Sequence, residues 1–392
     1  MEISFDNTEI AFSGKSDADL GRSYLLFRLV GNNKLVKIGK RLTYFAIKLK
    51  LPVKALVKAT IFRQFCGGET IAECDSTITS LSKYKIKTIL DYSIESKNSE
   101  IDFEHTMHEV VATIEIARTN KNIPFSVFKL TGLARFELLE KINEGIDLNE
   151  QEQEEWNLVK QRVNFICKTA YIAEFPVLID AEESWIQNTI DELVLEMMQL
   201  YNTKKAIVYN TIQMYRTGRI EYLKQLTAKA REGNFFIGLK IVRGAYMEKE
   251  RERAMEMNYI SPIQIDKLST DKDYDEALLY CIQHLDKIAI CAGTHNEASS
   301  LFLLELMKEL KIERNHQHIY FAQLLGMSDH ISYNLANAGY NVAKYVPYGP
   351  VSEVLPYLIR RAEENTSVAG QTSRELNLIL KERERRRSKK IH

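Results

Sequence analysis

The chain of 392 residues carries 53 Lys and Arg against 53 Asp and Glu, and this zero net charge argues against binding nucleic acid through the overall electrostatic field. Hydrophobic residues make up 45% and charged residues 27% of the chain, values that are ordinary for a globular protein and exclude global disorder. The five cysteines are widely spaced without a CxxC motif, so the sequence predicts a reducing compartment and neither a disulfide framework nor a zinc ribbon.

Residues 1–85 are predicted to form a mainly helical segment that packs on the rest of the chain. Apolar residues recur at helical spacing over 17–30 and 39–62, and the Gly67-Gly68 pair ends the second run. The first twenty or so residues lack a basic stretch followed by an apolar one, so we expect no signal peptide. No run approaches about 18 apolar residues, so we expect no transmembrane segment either.

Eight short apolar stretches of strand length follow, and each precedes a segment of helical character. Their apolar residues are continuous rather than alternating, which indicates parallel strands buried on both faces. Eight such units predict an α/β fold, a (β/α)8 barrel of the TIM type, over residues 86–370, with an open doubly wound sheet as the alternative. The predicted strands span residues 88–92, 125–130, 177–180, 206–209, 236–242, 288–291, 319–322 and 342–346.

Two charged segments lie outside these strands. The acidic stretch 149–155 (NEQEQEE) predicts an exposed helix start or a loop. Residues 371–392 are predicted to be a basic C-terminal helix or tail, because 381–390 reads KERERRRSKK. One interpretation of this tail is a solvated helix end or a frayed terminus, and the other is a contact with anionic lipid or with a partner.

Polar residues interrupt the apolar pattern where the predicted strands end. In barrels of this type the active-site residues follow the carboxyl ends of the strands, so these residues are candidates for the site. Several are cations, which suits an anionic small substrate or a phosphate-bearing cofactor. The cations of this rim are Lys129, Arg243, Arg360 and Arg361, and the other residues selected at strand ends are Asp180, Gln213, Lys240, Tyr246, Thr294, His295, Leu324 and Tyr345.

The segment after the last strand predicts a helix that begins near Pro356, because proline is tolerated in the first turn of a helix. Arg360 and Arg361 then lie in the first two turns, and adjacent helix residues point about 100° apart. Two such arginines can approach one anion from different sides, or one can bind it while the other braces. Glu364 follows four residues after Arg360 and is placed to hold its guanidinium. A solvated helix face is the alternative.

Other patterns carry less information. Asp180 and Glu182 alternate at a strand end and could form an acid–base or metal pair. The histidine pairs at 105/108 and 316/318 lack a third ligand, so we interpret them as surface histidines. No GxGxxG, GxxxxGK[ST] or GxSxG motif occurs, which removes the usual support for a Rossmann domain, a P-loop or a serine hydrolase. The residues alone therefore predict a barrel enzyme with an anionic small substrate, and an aldolase using Lys129 or Lys240 as a Schiff base stays open.

Several blocks of this sequence resemble the proline dehydrogenase family. Residues 239–252 (LKIVRGAYMEKERE) are similar to the family's GAY block, and residues 344–365 (KYVPYGPVSEVLPYLIRRAEEN) are close to its YLxRRxxEN signature. Residues 320–329 (YFAQLLGMSD) form a third block, and the stretches DAEE and THN at 180–183 and 294–296 fall in the expected order around it. The resemblance extends over residues 55–370 and is nearer to the eukaryotic-like, single-function branch.

The resemblance implies a distorted (β/α)8 barrel that binds FAD non-covalently and oxidises L-proline to Δ1-pyrroline-5-carboxylate by hydride transfer to flavin N5. This reaction is the first step of proline catabolism. The implied substrate-binding residues are Lys129, Asp180, Tyr246, Leu324, Tyr345, Arg360 and Arg361, and the implied flavin contacts are Gln213, Lys240, Arg243, Ala245, Thr294, His295 and Glu364.

The implied roles follow the chemistry of the side chains. The arginine pair and Lys129 are implied to hold the proline carboxylate, which guanidinium forks suit. Leu324 and Tyr345 are implied to wall the pyrrolidine ring. Many bacterial members carry Arg where this chain has Lys240 and Lys where it has Arg243, so both positions stay cationic although lysine lacks the bidentate fork.

The resemblance also implies partners and a location. A membrane quinone is the implied electron acceptor, and a separate pyrroline-5-carboxylate dehydrogenase would consume the product. We therefore expect a cytoplasmic enzyme that is peripheral on the inner membrane. The rival interpretations are a hydroxyproline-oxidising relative, a flavin-free barrel enzyme and a non-catalytic relative that binds proline or a partner. Tyr345 would crowd a ring hydroxyl, which favours proline.

Overall fold

The eight strands form a closed barrel in which each strand follows its predecessor in chain order. The computed structural model describes residues 3–31, 54–93, 98–367 and 371–391. The register pairs β1 through β7 as parallel neighbours, for example Lys129 with Asp180 and Lys240 with Cys291. The strands are β1 Ile86–Tyr92, β2 Ser126–Lys129, β3 Val177–Asp180, β4 Val208–Gln213, β5 Ile237–Val242, β6 Ile288–Gly293, β7 Ile319–Leu324 and β8 Val342–Tyr348.

Helices separate the strands, as a (β/α)8 barrel requires. The described α-helices before β1 are Thr8–Ala11, Asp17–Val30, Lys54–Val57, Arg63–Phe65 and Ile71–Ser82, and a π-helical turn, Lys58–Phe62, joins the third to the fourth. Those between strands are Glu100–Thr119, Phe136–Asn143, Glu150–Ile172, Ser184–Tyr201, Arg219–Glu232, Met247–Glu256, Lys267–Gln283, Glu297–Glu309 and Asp329–Asn337. After β8 come Leu355–Ser367 and Gln371–Ile391. In the described part of the chain, no helix has both the length and the apolar character needed to span a bilayer.

The predicted strands and helix ends agree with this architecture. All eight predicted strands are present, and the fourth begins at Val208 rather than at residue 206 and runs on to Gln213. The acidic stretch is a helix start, since the Asn149 side chain accepts a hydrogen bond from the Glu152 amide and the Glu152 carboxylate accepts one from the Asn149 amide. The helix after β8 begins at Leu355, directly before Pro356. The part of the predicted 39–62 helix before residue 54 lies outside the described residues.

The contacts divide the chain into two compact units. One unit comprises residues 88–92 and 96–322, which include most of β1, all of β2 to β6 and most of β7. Its strands are almost entirely buried on both faces, with Val177, Val208, Ile237 and Leu239 inaccessible to solvent. This burial explains the continuous apolar runs in the sequence. The predicted domain boundaries at residues 85 and 370 stay predictions.

The second unit comprises residues 1–87 and 323–392 with a short stretch at 93–95. Its C-terminal helix, Gln371–Ile391, packs against the first helices, with Leu378 and Ile379 buried beside Phe12 and Leu20. The basic end of this helix is paired. Arg386 contacts Asp17 at 3.0 Å, and Lys389 and Lys390 pair with acidic residues of the same N-terminal helices. These pairs favour a structural interpretation of the basic tail over a lipid contact.

Candidate active site

A buried lysine–aspartate pair joins two strands of the larger unit. The Lys240 ammonium on β5 donates to the Asp180 carboxylate at the end of β3, and the side chains are 7% and 13% exposed. Asp180 also lies opposite Lys129 in the register of β2 and β3. This contact engages the Lys240 nitrogen, which an aldolase would need as the nucleophile for a Schiff base. Two residues with different predicted roles, substrate binding and flavin binding, therefore share one contact.

Arg243 organises a second cluster just beyond the end of β5. Its three guanidinium nitrogens donate to Asp271 at 2.8 Å, Thr294 at 2.7 Å and Ser299 at 2.8 Å. The guanidinium also lies over the Tyr274 ring, 4.2 Å from the centroid. Partial burial alone would raise the pKa of Asp271, but the hydrogen bonds from Lys267 and Arg243 lower it. The fork of an arginine is used at this position, where a lysine could satisfy fewer partners.

The turn after β5 is fixed by a glycine. Gly244 has φ +144°, and a Cβ added there would lie 2.1 Å from a carbon of the Tyr215 ring. No larger residue fits this turn without displacing the tyrosine. Ala245 and Tyr246 follow directly, with Ala245 exposed and Tyr246 partly buried. The GAY block therefore owes its glycine to backbone geometry and close packing.

Gln213 links the ends of β3 and β4. Its side chain is buried, and its amide nitrogen donates to the Glu182 carbonyl at 2.9 Å. Thr294 is also buried and His295 is partly buried at the end of β6. The register makes β4, β5 and β6 neighbours. The groups expected to contact a flavin therefore lie on or directly after three adjacent strands. They are the Gln213 amide, the Lys240 and Arg243 cations, the Thr294 hydroxyl and the His295 imidazole.

Glu182 is a buried acid next to this region. Its carboxylate accepts hydrogen bonds from the Thr131 amide at 3.0 Å and from the Thr131 hydroxyl. Burial raises the pKa of Glu182 to about 7, the neighbouring Glu183 carboxylate adds to the rise, and the Thr131 hydrogen bonds oppose it. Asp180 pairs with Lys240 instead, so the contacts assign these two acids to different partners.

In the smaller unit, the predicted ring-wall residues lie at the end of β7 and within β8, and the two arginines lie on the helix Leu355–Ser367. Leu324 ends β7 and is partly buried, and Tyr345 on β8 is 7% exposed. The Leu325 amide donates to the Tyr345 carbonyl at 2.8 Å, so the two wall residues lie on adjoining backbone. Arg361 is buried with its guanidinium 5.0 Å from the Tyr357 ring centroid, and Arg360 is partly buried.

The predicted site residues are thus placed in two groups. The larger unit brings together Lys240 with Asp180 and Arg243 with Thr294, and the smaller unit brings together Leu324 and Tyr345. The side chain of Glu364 lies outside the described part. Sequence reasoning missed the partners of Arg243 at Asp271, Tyr274 and Ser299, which belong to ordinary-looking helices. It also missed Lys344, although a lysine within the apolar run VAKYV is a signal of a buried charge.

Comparison with known proteins identifies relatives of this chain. The family model described as proline dehydrogenase matches residues 74–374. The chain is 33% identical to "Proline dehydrogenase 1, mitochondrial" of Dictyostelium discoideum, over 97% of this chain and 74% of that protein. It is 34% identical to "Carbapenem antibiotics biosynthesis protein CarD" of Pectobacterium carotovorum subsp. carotovorum, over 89% of this chain and 91% of the relative. It is also 30% identical to "Hydroxyproline dehydrogenase" of Xenopus laevis, over 96% and 88% of the two chains.

Solved structures share the fold. The crystal structure of proline utilization A from Bdellovibrio bacteriovorus superposes with a TM-score of 0.73 at 19% sequence identity. The match covers 92% of this chain and 38% of that one. A bifunctional proline utilization A protein matches with a TM-score of 0.66 at 20% identity, over 80% of this chain and 32% of the other. At this identity the likeness shows the barrel with its flanking helices.

Proposed function

The chain belongs to the proline dehydrogenase family, whose model spans residues 74–374, and from this premise we propose that it oxidises L-proline to Δ1-pyrroline-5-carboxylate with bound FAD. This family match is the observation that carries the proposal. The reaction removes two electrons and two protons from the ring, one hydrogen from C5 and one from the nitrogen. The product is a cyclic imine that keeps the carboxylate.

The carboxylate of proline is the group that the cations recognise. We assign its binding to Arg360, Arg361 and Lys129, because guanidinium forks match a carboxylate bidentately and an ammonium adds charge. Arg361 is buried and held over the Tyr357 ring, so its guanidinium is fixed before substrate arrives. A preorganised cation loses less entropy when the anion binds.

The ring is proposed to lie between Leu324 and Tyr345, with Tyr246 lining the same pocket. Tyr345 is buried, so a hydroxyl added to the substrate ring would have to displace protein atoms or lose its hydration. This crowding favours proline over ring-hydroxylated prolines. Asp180 is proposed to lie beneath the ring, where its pair with Lys240 keeps the local charge balanced.

The donor set of β4 to β6 fits a flavin nucleotide. The buried amide of Gln213, the ammonium of Lys240, the fork of Arg243 and the hydroxyl of Thr294 offer hydrogen bonds to ring carbonyls and phosphates. Ala245, His295 and Glu364 complete the proposed set. When bound, FAD supplies the hydride acceptor at its N5. The absence of a GxGxxG motif agrees with a flavin that is held by strand ends of a barrel.

The chain's own residues then orient the bound proline for reaction. The cations fix the carboxylate, and the wall residues fix the ring face that reacts, which converts binding energy into correct geometry. The ring nitrogen must be neutral, because a protonated nitrogen has no electron pair to form the C=N bond. The rate should therefore rise with pH through the pKa of the bound amine.

The electron acceptor and the location are further parts of the proposal. A membrane quinone would accept the electrons, and a separate pyrroline-5-carboxylate dehydrogenase would consume the product. The enzyme would then be cytoplasmic and peripheral on the inner membrane. The Dictyostelium relative is named mitochondrial, so the compartment is tested by fractionation of cells that express the protein.

Oxidation of hydroxyproline is the second candidate, favoured by the 30% identity to the Xenopus hydroxyproline dehydrogenase over 96% of this chain. The two are separated by one experiment. The purified protein with FAD and an artificial electron-accepting dye is given L-proline or 4-hydroxyproline, and products are identified by mass spectrometry. We expect a product two hydrogens lighter than proline and slower turnover of hydroxyproline. Faster turnover of hydroxyproline favours the second candidate, and protein that is inert with both contradicts the proposal.

A further inference from the structure

The turn after β7 has an unusual backbone. It runs from Leu324 to Asp329, and Gly326 and Ser328 both have left-handed conformations, with φ +76° and +49°. A Cβ at Gly326 would lie 2.1 Å from the Gln64 carbonyl oxygen. A serine in this conformation is strained, so the surrounding contacts must hold the turn. Leu324, which we assigned to the wall of the proline ring, is the first residue of this turn.

The ammonium of Lys344 lies inside the turn. It donates to the Leu324 carbonyl at 3.2 Å, to the Met327 carbonyl, and to the Asp329 carboxylate at 3.0 Å. Lys344 has no solvent exposure, although its neighbour on β8 is the other ring-wall residue, Tyr345. Burial lowers the pKa of Lys344, and the Asp329 carboxylate opposes this by favouring the ammonium form.

This set of ligands is the kind that a small cation takes. Two backbone carbonyls and one carboxylate converge on a single positive centre, as they do around oxygen-bound metal ions. The lysine supplies that centre covalently from the neighbouring strand. The turn can keep its left-handed residues because the carbonyls of the neighbouring Leu324 and Met327 and the Asp329 carboxylate are satisfied at one point.

The outside of the turn is braced by both chain ends. Lys15 pairs with Asp329 at 2.9 Å, so this carboxylate serves two ammonium groups. The Ser328 amide donates to the Glu375 carboxylate on the C-terminal helix, and the Gln64 side chain donates to the Gly326 carbonyl at 2.9 Å. The strained segment thus has partners on every side, with Lys344 at its centre.

We propose that Lys344 is a positioning residue that holds Leu324 and Tyr345 as the two walls of the proline ring and so sets discrimination among ring-substituted prolines. The inference rests on the proposed function for the identity of the ring. Its physical content is separate, since the ammonium must hold the turn whatever the substrate is. Both parts are tested with the variant Lys344→Met, which keeps an unbranched side chain and removes the charge.

The first measurement follows the turn itself. Hydrogen–deuterium exchange of the peptide that contains Leu325 and Ser328 is compared between the wild type and Lys344→Met. Both amides are hydrogen-bonded in the turn, and loss of a charged partner should speed their exchange by about tenfold or more. Ammonium chloride, whose cation is the size of the lost group, should restore protection. Tetramethylammonium chloride at the same concentration is too large and should not.

The second measurement follows discrimination. The ratio of kcat/KM for proline to that for 4-hydroxyproline should fall about tenfold in Lys344→Met, since wall packing contributes about that factor per small group. Ammonium should again restore part of the ratio. Arg219→Met is the matched control, because Arg219 forms another buried ion pair, with Asp191 at 2.9 Å, on two helices of the larger unit. It should lower stability and leave the ratio unchanged.

The outcomes separate the two claims. Unchanged exchange in Lys344→Met overturns the proposal, with or without activity. Changed exchange with an unchanged ratio overturns the assignment of the walls and leaves only a structural role. Wild-type protein that does not oxidise proline contradicts the proposed function, and the exchange experiment then still decides whether Lys344 holds the turn. If Lys344→Met does not fold, Asp329→Asn removes one partner of the same ammonium and is measured in the same way.

Discussion

Two buried lysine–aspartate pairs, one in each unit of the molecule, have the same chemistry and different surroundings. Lys240 and Asp180 join β5 to β3 and retain 7% and 13% exposure. Lys344 is fully enclosed, and its ammonium also donates to the backbone carbonyls of Leu324 and Met327. The first pair lies at strand ends where ligands bind in barrels. The second pair holds the backbone of the turn after β7.

The surroundings of a buried charge indicate whether it braces the backbone or stays accessible to a ligand. A bracing charge has its partners supplied by carbonyls and carboxylates of the fold, so no ligand is required for its stability. The Lys240–Asp180 pair joins two side chains of the barrel strands and keeps some exposure to solvent. A bound ligand should therefore change the stability effect of mutations at the Lys240–Asp180 pair and leave that of mutations at Lys344 unchanged.

The largest effect is expected when one partner of the accessible pair is removed. Lys240→Met leaves the Asp180 carboxylate buried without its cation, which should destabilise the protein by about 3–5 kcal/mol. Urea unfolding measures this loss. The double variant Lys240→Met/Asp180→Leu should recover much of the stability, because no charge is then left buried. A single variant as stable as the wild type would contradict the ion pair.

The next effect concerns substrate. Arg360→Ala should raise the KM for proline by roughly 10- to 100-fold, the cost of a charged hydrogen bond of roughly 1.5–3 kcal/mol, and leave the melting temperature almost unchanged. Steady-state kinetics with a dye acceptor and a thermal melt measure the two. Arg118→Ala is the control, since Arg118 pairs with Glu115 on an exposed helix face. Unchanged proline affinity in Arg360→Ala would contradict the assignment of Arg360 to the proline carboxylate.

A smaller effect is expected at the flavin side. Arg243→Lys keeps the charge but cannot donate to Asp271, Thr294 and Ser299 together, so FAD affinity should fall about tenfold. Fluorescence titration of the flavin-free protein with FAD measures the affinity. Lys224→Arg, at an exposed pair with Glu276, is the matched control. Equal FAD affinity for Arg243→Lys and the wild type would exclude a specific role for the arginine fork.

The smallest effect is a pH dependence. The pKa of Glu182 is raised from 4.5 to about 7, so the folded protein holds this proton more tightly than the unfolded chain. Its contribution therefore makes stability fall as pH rises from about 4.5 to about 7, with no further change above. In Glu182→Gln this part of the slope should disappear, and chemical unfolding across that range measures it. An unaltered slope would assign the ionisation elsewhere.

Much of the fold could be predicted from the sequence. The continuous apolar runs gave all eight strands, because strands buried on both faces need apolar residues at every position. Pro356 located the last barrel helix for a local reason, its fixed φ and missing N–H. The predicted fourth strand ends at residue 209, whereas β4 runs on to Gln213. The polar residues Asn210 and Gln213 interrupt the apolar run, yet both are buried and hydrogen-bonded.

The site was less accessible from the sequence. Residues at strand ends, such as Asp180 and Arg243, could be selected by topology and by resemblance. Their partners could not, because Asp271 and Ser299 lie on different helices and meet Arg243 only after folding. Lys344 shows the same limit, since a single charge in an apolar run indicates burial and does not indicate which carbonyls receive it.

We propose that charged side chains of this barrel bind proline and a flavin for oxidation. The test is an absorbance spectrum of the purified protein supplied with FAD, recorded without oxygen before and after L-proline is added. We expect flavin bands that bleach on addition of proline, and bleaching in Arg360→Ala only at much higher proline concentration. A protein that binds no flavin, or whose flavin proline cannot reduce, would contradict the account.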